Sequence, residues 1–549
     1  MKKNLSNLKI IDLYDFDVIS LATSARFLDQ ALFSIDRFNL ENNYEFWSDL
    51  ACTSRSPLAN VLLREIAITI FCIQTIIESE CSIKIYGLNP AQEKTVLNFF
   101  GESKFLIDIK VRIFIIISQF ASILKLSTFM SYCFFFWMLK KHDEKEKDLG
   151  NVGLLTYCDR TQLNDDSDPY FGNLISKFNS VDDAAFYLGI VYFPYSPYLR
   201  KIKSMVYINA YNEISDYVAA YLKSFQLIFK DFKLTNLPFS SSKIDFFSVY
   251  KYRVISGASS GYWETILIKQ GLSNFIKNIK LKKIIYPFEN KSIEKAILKV
   301  IPSEIKTIGY QHTSITNSHF NLKMTTEEIQ FEYLPDKVIT CGSVTYDWLI
   351  KHSKIPIEKI EVGCGLRQQS IPALGKKGQG SAVKNILFVF SSSFHELTVG
   401  INYILETIEQ TCELKFRIRA HPNFPVSGLA NEVQKKLKHS QVWVSKTTLI
   451  IDFNWADAVM YISSTAAIDA LRFGLPVICL NYDGMSFDPL MGRTVSNRYV
   501  VDDVKSLKRF LYLNEENQIK KSQDAILGSE YALMYFRDIS DKNLKPFFE

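Results

Sequence analysis

The stretch RIRAHPN (417–423) sets two arginines, a histidine and a proline at the end of an apolar run, ELKFRIRAHP (413–422). A histidine placed there projects from the carboxyl edge of a sheet. Imidazole donates to a phosphate oxygen and readily takes a positive charge beside an anion. Pro422 fixes the exit of the chain and removes a donor, and Arg419 stands just behind. One strand–helix unit further on, ADAVMYISS (456–464) runs into Ser463, Ser464 and Thr465 and then AAIDALRFGLPVI. Hydroxyls at a helix start cap free N–H groups and form an anion site. Each motif alone has a plain reading, a helix cap or a structural histidine. Together they predict one phosphate site made of Arg419, His421, Pro422, Ser463, Ser464 and Thr465.

A second group lies upstream. KKIIYPFEN (282–290) and IKTIGYQH (305–312) are apolar runs that end in Glu289 and His312. A carboxylate and an imidazole at neighbouring strand ends can take a proton from a hydroxyl or stabilise developing positive charge. The alternative is that Glu289 caps the following helix and His312 bonds internally. Asp165, Asp166 and Asp168 are a third acidic candidate, but D-D-S-D-P is also the composition of a turn. The D-x-D patterns at 15–17 and 166–168 lack a nucleotide-binding strand, so no metal site is expected. GKKGQG (375–380) lacks the preceding strand and the Ser/Thr of a phosphate-binding loop.

The elements that must hold these residues alternate. Short apolar runs recur at 151–159, 282–290, 305–312, 336–343, 357–365, 384–393, 413–422, 456–464 and 475–483, with helical spacing between them, as in Ile401–Gln410 and Ala466–Phe473. Such alternation predicts an α/β fold with parallel sheets, whose ligands bind at the carboxyl ends of strands. Gly474 fits a helix C-cap and Pro476 a strand start. RQQSIPALGKKGQGSAVK (367–384) reads as a linker between two strand–helix series. The expected organisation is an N-terminal α/β region (1–104) belonging to the N-terminal lobe, a hydrophobic helical segment (105–145), a Rossmann-like acceptor lobe (146–366), the linker, a Rossmann-like nucleotide-sugar lobe (385–525) and a helical tail (526–549).

The totals fit this picture. With 549 residues, 47% hydrophobic and 22% charged, the chain is globular and long enough for more than one core. A net charge of +6 suits an anionic membrane surface or a phosphorylated substrate and does not argue for nucleic acid. The nine cysteines form no CxxC pair and several sit in apolar runs, as expected of reduced thiols in a cytoplasmic protein. The N-terminal MKKNLSNLKIIDLYDFD breaks into acids before any long apolar core, unlike a signal peptide. Residues 111–141, VRIFIIISQFASILKLSTFMSYCFFFWMLKK, carry one charge, Lys125, between Ile113 and Leu139. This segment could be a core helix, a membrane span or a docking helix. Docking on one leaflet is the reading carried forward.

The His–Pro and Ser-Ser-Thr pair resembles the C-terminal lobe of GT-B glycosyltransferases that use CMP-activated sugars, such as bacterial sialyltransferases and capsule Kdo transferases. CDP-glycerol-type polymerases carry a similar pair. The stretches IIYPFENKSIEKAIL (284–298), TIGYQHTSI (307–315) and GLLTYCDRTQLNDDSDPYFGNLISKF (153–178) resemble bacterial surface carbohydrate (O-antigen and capsule) biosynthesis proteins. Those proteins carry an aromatic after the Asn of the E-N element, where this chain has Lys291–Ser292–Ile293. The resemblance implies a GT-B fold of two lobes facing a cleft. It also implies a metal-independent glycosyltransferase without a cofactor, whose donor is a CMP-sugar (Kdo or a related nonulosonate) held by Arg419, His421 and residues 463–465. Glu289 and His312 would face a lipid-linked or oligosaccharide acceptor at the cytoplasmic face of the inner membrane. The rivals are a CDP-polyol phosphotransferase and a non-catalytic, membrane-docked assembly protein.

Overall fold

The computed structural model describes residues 8–12, 30–31, 34–35, 61–79 and 82–549, apart from 103–104, 140–149, 158–167, 180–183, 191–204, 235, 240–241, 317–318, 331–333, 368–370, 376–382, 392, 412, 423, 430, 482–487, 491–493 and 517. Near the start, β1 (Leu8–Asp12) and β2 (Ser82–Tyr86) form a separate two-stranded parallel sheet. The helices Val61–Glu78 and Pro90–Phe99 pack with the helix Phe247–Gly257 around Ile66, Ile70, Val249 and Tyr250. Arg253 reaches Glu65 at 2.5 Å and ties this layer to the rest of the chain. Asn89 and Gln92 close a capping box at the start of Pro90–Phe99.

Two parallel sheets follow. The first contains β3 (Val152–Tyr157), β4 (Ala185–Ile190), β5 (Met205–Tyr207), β8 (Lys283–Pro287), β9 (Lys306–Gln311), β10 (Lys337–Thr340) and β11 (Ile360–Val362). The hairpin β6 (Leu237–Phe239) and β7 (Ser242–Ile244) stands outside it. The sheet order is β11-β10-β9-β8-β3-β4-β5. The second sheet holds β12 (Asn385–Val389), β13 (Lys415–Arg419), β14 (Val442–Val444), β15 (Ala458–Tyr461), β16 (Val477–Leu480) and β17 (Arg498–Val501), in the order β14-β13-β12-β15-β16-β17. Every pairing in both sheets is parallel. β3, β4, β8, β15 and β16 are buried throughout, as strands covered by helices on both faces must be.

Each order is that of a doubly wound sheet. The chain moves outward on one side and then returns to the other side of its first strand. In such sheets the ligand crevice opens at the carboxyl ends of the two strands where the direction reverses. Those strands are β3 and β8 in the first lobe and β12 and β15 in the second. The architecture is therefore the expected one of two Rossmann-like lobes, with an apolar helix, Phe105–Leu139, in the N-terminal part.

The carboxyl-edge loops of the two sheets converge on one helix, Gln518–Tyr535. The Tyr535 hydroxyl accepts from Ile315 N (3.0 Å), on the loop after β9, and lies 3.1 Å from Pro489 O, beyond β16. The turn after β3 also reaches the junction. Gly172 has φ +55°, and a Cβ there would lie 2.3 Å from Leu366 O, so this close approach needs glycine. The C-terminal helix Asp541–Phe548 crosses back under the first lobe. Phe547 packs on Tyr310 at 5.3 Å, and Lys283 Nζ donates to Phe547 O and Phe548 O (3.0 and 2.6 Å). Part of the linker lies on the second lobe, where Leu374 N donates to Arg472 O at 2.9 Å.

Candidate functional site

At the first lobe's reversal point, β8 ends in Pro287 and the chain turns at Asn290, which has φ 52°. Asparagine tolerates that conformation, and its buried Nδ2 donates to Asn321 O (2.8 Å) and Glu328 Oε1 (2.9 Å). The backbone of Glu289 is held on both sides. Its N donates to Glu294 Oε2 (3.0 Å), and its O accepts from Asn321 Nδ2 (2.5 Å). Its side chain keeps 25% exposure. Glu289 does not cap the next helix, whose N-cap position is Lys291. Its carboxylate pairs instead with Lys291 Nζ at 2.5 Å and faces His312 Nε2 at 3.5 Å, across from the end of β9.

Burial pushes the Glu289 carboxyl up, but Lys291, with His312 and His319 only as they gain charge at acid pH, holds it below the usual range. It is ionised at neutral pH. Burial pushes His312 down to about 4; Glu289 opposes this, while Arg367 and Lys291 add to it. His312 is therefore a neutral imidazole at pH 7. Its Nδ1 is buried, without a close hydrogen-bond partner among the described residues, and Tyr170 meets its ring edge-on at 4.9 Å. Lys291 also lies over the Tyr157 ring at 5.1 Å. The result is a half-buried carboxylate backed by a neutral histidine and paired with a lysine.

The third acidic candidate divides. Asp165 and Asp166 lie outside the described residues, as does the 15–17 pattern. Asp168 forms the turn. Its Oδ1 accepts from Tyr170 N (2.6 Å) and Phe171 N (2.9 Å), and its Oδ2 accepts from Thr156 Oγ1 (2.5 Å). Burial raises its carboxyl, and these donors work against that rise.

At the second lobe's reversal point, the chain after β12 and the chain after β15 are joined by side chains. Ser463 Oγ lies 2.8 Å from Ser391 Oγ. Both hydroxyls donate to Glu396, Ser463 at 2.6 Å, and Ser463 N adds a bond at 3.2 Å. Glu396 sits buried in the first turn of Phe394–Gln410, where Ser393 caps the helix. Burial raises its carboxyl, offset in part by the serine donors. Ser463 is thus engaged with a carboxylate. Ser464 is buried and Thr465 exposed. Neither side chain caps the following helix in the expected way: Thr465 holds the N-cap position with a helical backbone and no side-chain cap bond. Gly474, at φ 91°, closes Ala466–Phe473 as expected.

His421 follows β13, next to β12 in the sheet, so the ends carrying His421, Ser391 and Ser463 belong to three adjacent strands. His421 is half-buried and Pro422 exposed. Burial lowers the His421 pKa. The two arginines behind it have a partner the sequence did not reveal. Arg417 and Arg419 bind the two oxygens of Asp452 at 3.0 and 2.7 Å, and Arg419 also donates to Thr447 O at 2.8 Å. Ser445 and Thr447 complete the shell of this fully buried carboxylate. Burial would raise Asp452, but these four donors hold it below the usual range. Arg419 keeps 32% exposure, so it anchors the strand end while part of it still meets solvent.

Ser391, Glu396 and Asp452 were missed from sequence, although Ser393-x-x-Glu396 after a strand end has capping-box spacing. Arg367, in the stretch GCGLRQQ (363–369) that the sequence sets at the end of the first lobe, also belongs to the site. It is exposed at the lobe junction, beside Leu366, whose N donates to Tyr310 Oη at 3.0 Å. Its charge acts on His312 and Asp168 in one lobe and on Asp469 in the other.

No protein-family model matches the chain, and no curated protein matches it. Solved structures resemble it at low identity. The accessory secretory protein 1,2 and 3 structure from Streptococcus pneumoniae is 11% identical over 52% of this chain and 56% of that one, with a TM-score of 0.35. This chain thus spans just over half of that protein's length. The UDP-GlcNAc 2-epimerase of Methanocaldococcus jannaschii, in complex with UDP-GlcNAc and UDP, is 11% identical, with coverage of 69% and 98% and a TM-score of 0.38. A TarM variant of S. aureus, in complex with Fondaparinux, alpha-GlcNAc-glycerol and UDP, is 8% identical, with coverage of 73% and 99% and a TM-score of 0.43. Likenesses at this level assign no donor, residue or reaction to this chain.

Proposed function

We propose that this chain is a metal-independent GT-B glycosyltransferase. It moves a sugar from a CMP-activated donor, Kdo or a related nonulosonate, to a hydroxyl of a lipid-linked or oligosaccharide acceptor. The work is done at the cytoplasmic face of the inner membrane, in the assembly of a surface polysaccharide or lipopolysaccharide. One observation carries the reading. The two groups singled out for chemistry sit at the carboxyl edges of two doubly wound sheets, Glu289 and Ser463 at the reversal points themselves, with His312 and His421 one strand away. The choice of CMP rests on the resemblance of the His–Pro and serine pair.

In this scheme the acceptor hydroxyl attacks the anomeric carbon while the bond from that carbon to the phosphate oxygen breaks. Glu289, ionised and half-buried, takes the hydroxyl proton. His312 holds no charge at neutral pH, so it adds no cation beside the oxocarbenium-like centre. The leaving CMP carries the bonding pair as a phosphate anion. His421 donates to it, the 463–465 segment lines it, and Arg419 fixes the strand end behind. Lys291 is placed to exchange its bond with Glu289 for one with an anionic substrate group.

The test is to incubate the purified protein with CMP-, CDP- and UDP-activated donors and a lipid-extract acceptor. CMP release coupled to sugar incorporation, unaffected by EDTA, is expected. A phosphorus-containing product from a CDP-polyol would replace the reading with phosphotransfer. CMP binding without turnover on any acceptor would replace it with a non-catalytic role.

A further inference from the structure

The helix Phe105–Leu139 is neither a core helix nor a free span. One side is fastened to the protein along most of its length. Val111 and Leu126 are buried, Ser122 Oγ donates to Ile255 O (3.2 Å), and Phe129 stacks on Trp263 at 3.8 Å. The antiparallel helix Ile214–Phe229 joins it through Gln119 to Ile228 O (3.4 Å) and Ser127 to Tyr221 Oη (3.3 Å). Near its start, Asp108 pairs with Lys94 (2.8 Å) and Lys110 with Glu93 (2.5 Å).

Among the described residues, nothing covers the other side. Leu106, Ile109, Ile113, Ile116, Ile117, Phe120 and Leu124 are exposed, Phe120 at 70%. At 3.6 residues per turn, all seven fall within an arc of about 100°. The partner helix adds exposed Ile214, Val218, Leu222 and Phe229, again on one side. Because the helices meet at Ser127–Tyr221 and Gln119–Ile228, the two strips adjoin across the seam. Exposed basic residues stand around them: Lys110 and Arg112 flank the arc of the long helix, Lys125 lies further round it, and Lys223 and Lys230 lie on the outer flank of the other helix. A patch this large and this apolar, rimmed with cations, matches a bilayer surface with anionic headgroups.

We infer that this two-helix face docks the protein on an anionic lipid surface, with both helices lying in the plane of the membrane. The inference does not depend on the transferase reading. A span is disfavoured because residues 107–129 are attached to the protein over about 33 Å, the thickness of the hydrocarbon core. Crossing would draw the neighbouring helices, with Lys223, Lys251 and Arg253, into the bilayer or strip those contacts away. The aromatic side chains Phe134–Trp137, with Lys140 and Lys141, fall outside the described residues. Trp263, which packs on Phe129, begins the helix that leads into β8, so the docked helices adjoin the lobe that carries Glu289.

The test is flotation of the full chain with vesicles of phosphatidylcholine alone or mixed with phosphatidylglycerol. Binding to the anionic vesicles, weakened by high salt, is expected. Ile116→Glu with Phe120→Glu, and separately Val218→Glu with Leu222→Glu, should each lower partitioning by about tenfold or more. All four positions are exposed, and unchanged circular dichroism will verify folding. Glu413→Gln, exposed on the second lobe and far along the chain from both helices, should leave partitioning unchanged. The inference fails if the wild type ignores anionic vesicles, or if the Val218/Leu222 pair has no effect. It also fails if the protein resists alkaline extraction like an integral span, or if light scattering shows a dimer that the same substitutions dissociate.

Discussion

Glu289 Oε1 and His312 Nε2 lie 3.5 Å apart at the ends of neighbouring strands, with Lys291 on the other carboxylate oxygen at 2.5 Å. This is too long for a firm hydrogen bond, and the histidine is neutral at physiological pH. The carboxylate is therefore positioned without being neutralised from that side. Glu289→Gln keeps the size and removes the base. Turnover should fall about a hundredfold or more, with donor affinity changed by less than about threefold. Equal losses in both would mark Glu289 as a donor ligand or structural residue. The pH profile follows from the lowered Glu289 value: rate is lost as pH falls through a pKa below the usual glutamate range, and the Gln variant lacks that limb.

His421 tests the other lobe. It stands at the end of β13, half-buried, and packs near Phe424, with ring centroids 6.4 Å apart. Removing one donor to a developing anion costs about a hundred- to a thousandfold in turnover. His421→Ala should show that loss while melting within a few degrees of wild type. Wild-type turnover would remove His421 from the phosphate site.

Ser463 links binding to stability. It joins Ser391 across the reversal point and donates to buried Glu396. Ser463→Ala leaves that carboxylate with fewer donors, at a cost of about 1–3 kcal/mol. Calorimetry should show this loss together with weaker CMP binding. Ser464→Ala touches no bond of the Glu396 cluster, so it separates the two effects. If Ser463→Ala destabilises the protein and CMP affinity stays unchanged, the cluster is structural alone.

What could be read from the sequence, and what could not, follows physical lines. Nine strands announced themselves as apolar runs with polar tails; most are covered on both faces and have no alternation to hide them, while β11 and β13 keep partly exposed residues and were found by composition alone. β14 and β17 are edge strands with partly exposed residues, so they lack that signature. β5 has only three residues, too few for a period. β4 reads AFYLGI and is as apolar as its neighbours, so nothing in its composition concealed it. Glu289, His312, His421 and Ser463 were legible because each follows such a run. Their partners were not. Ser391 lies 72 residues from Ser463, and Asp452 lies 33 from Arg419. Only the strand order brings them together. Lys291 was visible as a departure from the resembled pattern, yet its bond to Glu289 depends on the turn at Asn290.

Glu294 offers a test of the Glu289 turn that does not involve catalysis. It is fully buried, accepts from Glu289 N at 3.0 Å, and lies 3.3 Å from Tyr157 Oη. Burial pushes its carboxyl up to about 8; Lys291 opposes the shift and Glu289 reinforces it. An unfolded glutamate titrates near ~4.3. Below that pH both states are protonated and Glu294 carries no penalty. Between it and about 8, the native state holds a proton that the unfolded chain has released, so stability falls as pH rises. Above that range both are ionised, and the penalty stays at its full size, a few kcal/mol at most on the order of one such shift. Glu294→Gln keeps an oxygen for Glu289 N, and its amide can donate to Tyr157 Oη. The variant should therefore melt like wild type near pH 4.5 and several degrees higher near pH 8.5, with turnover within about threefold. Parallel melting curves for the two proteins across that range would mean Glu294 titrates as an ordinary carboxylate, and the buried link that holds Glu289 in its turn would have to be abandoned.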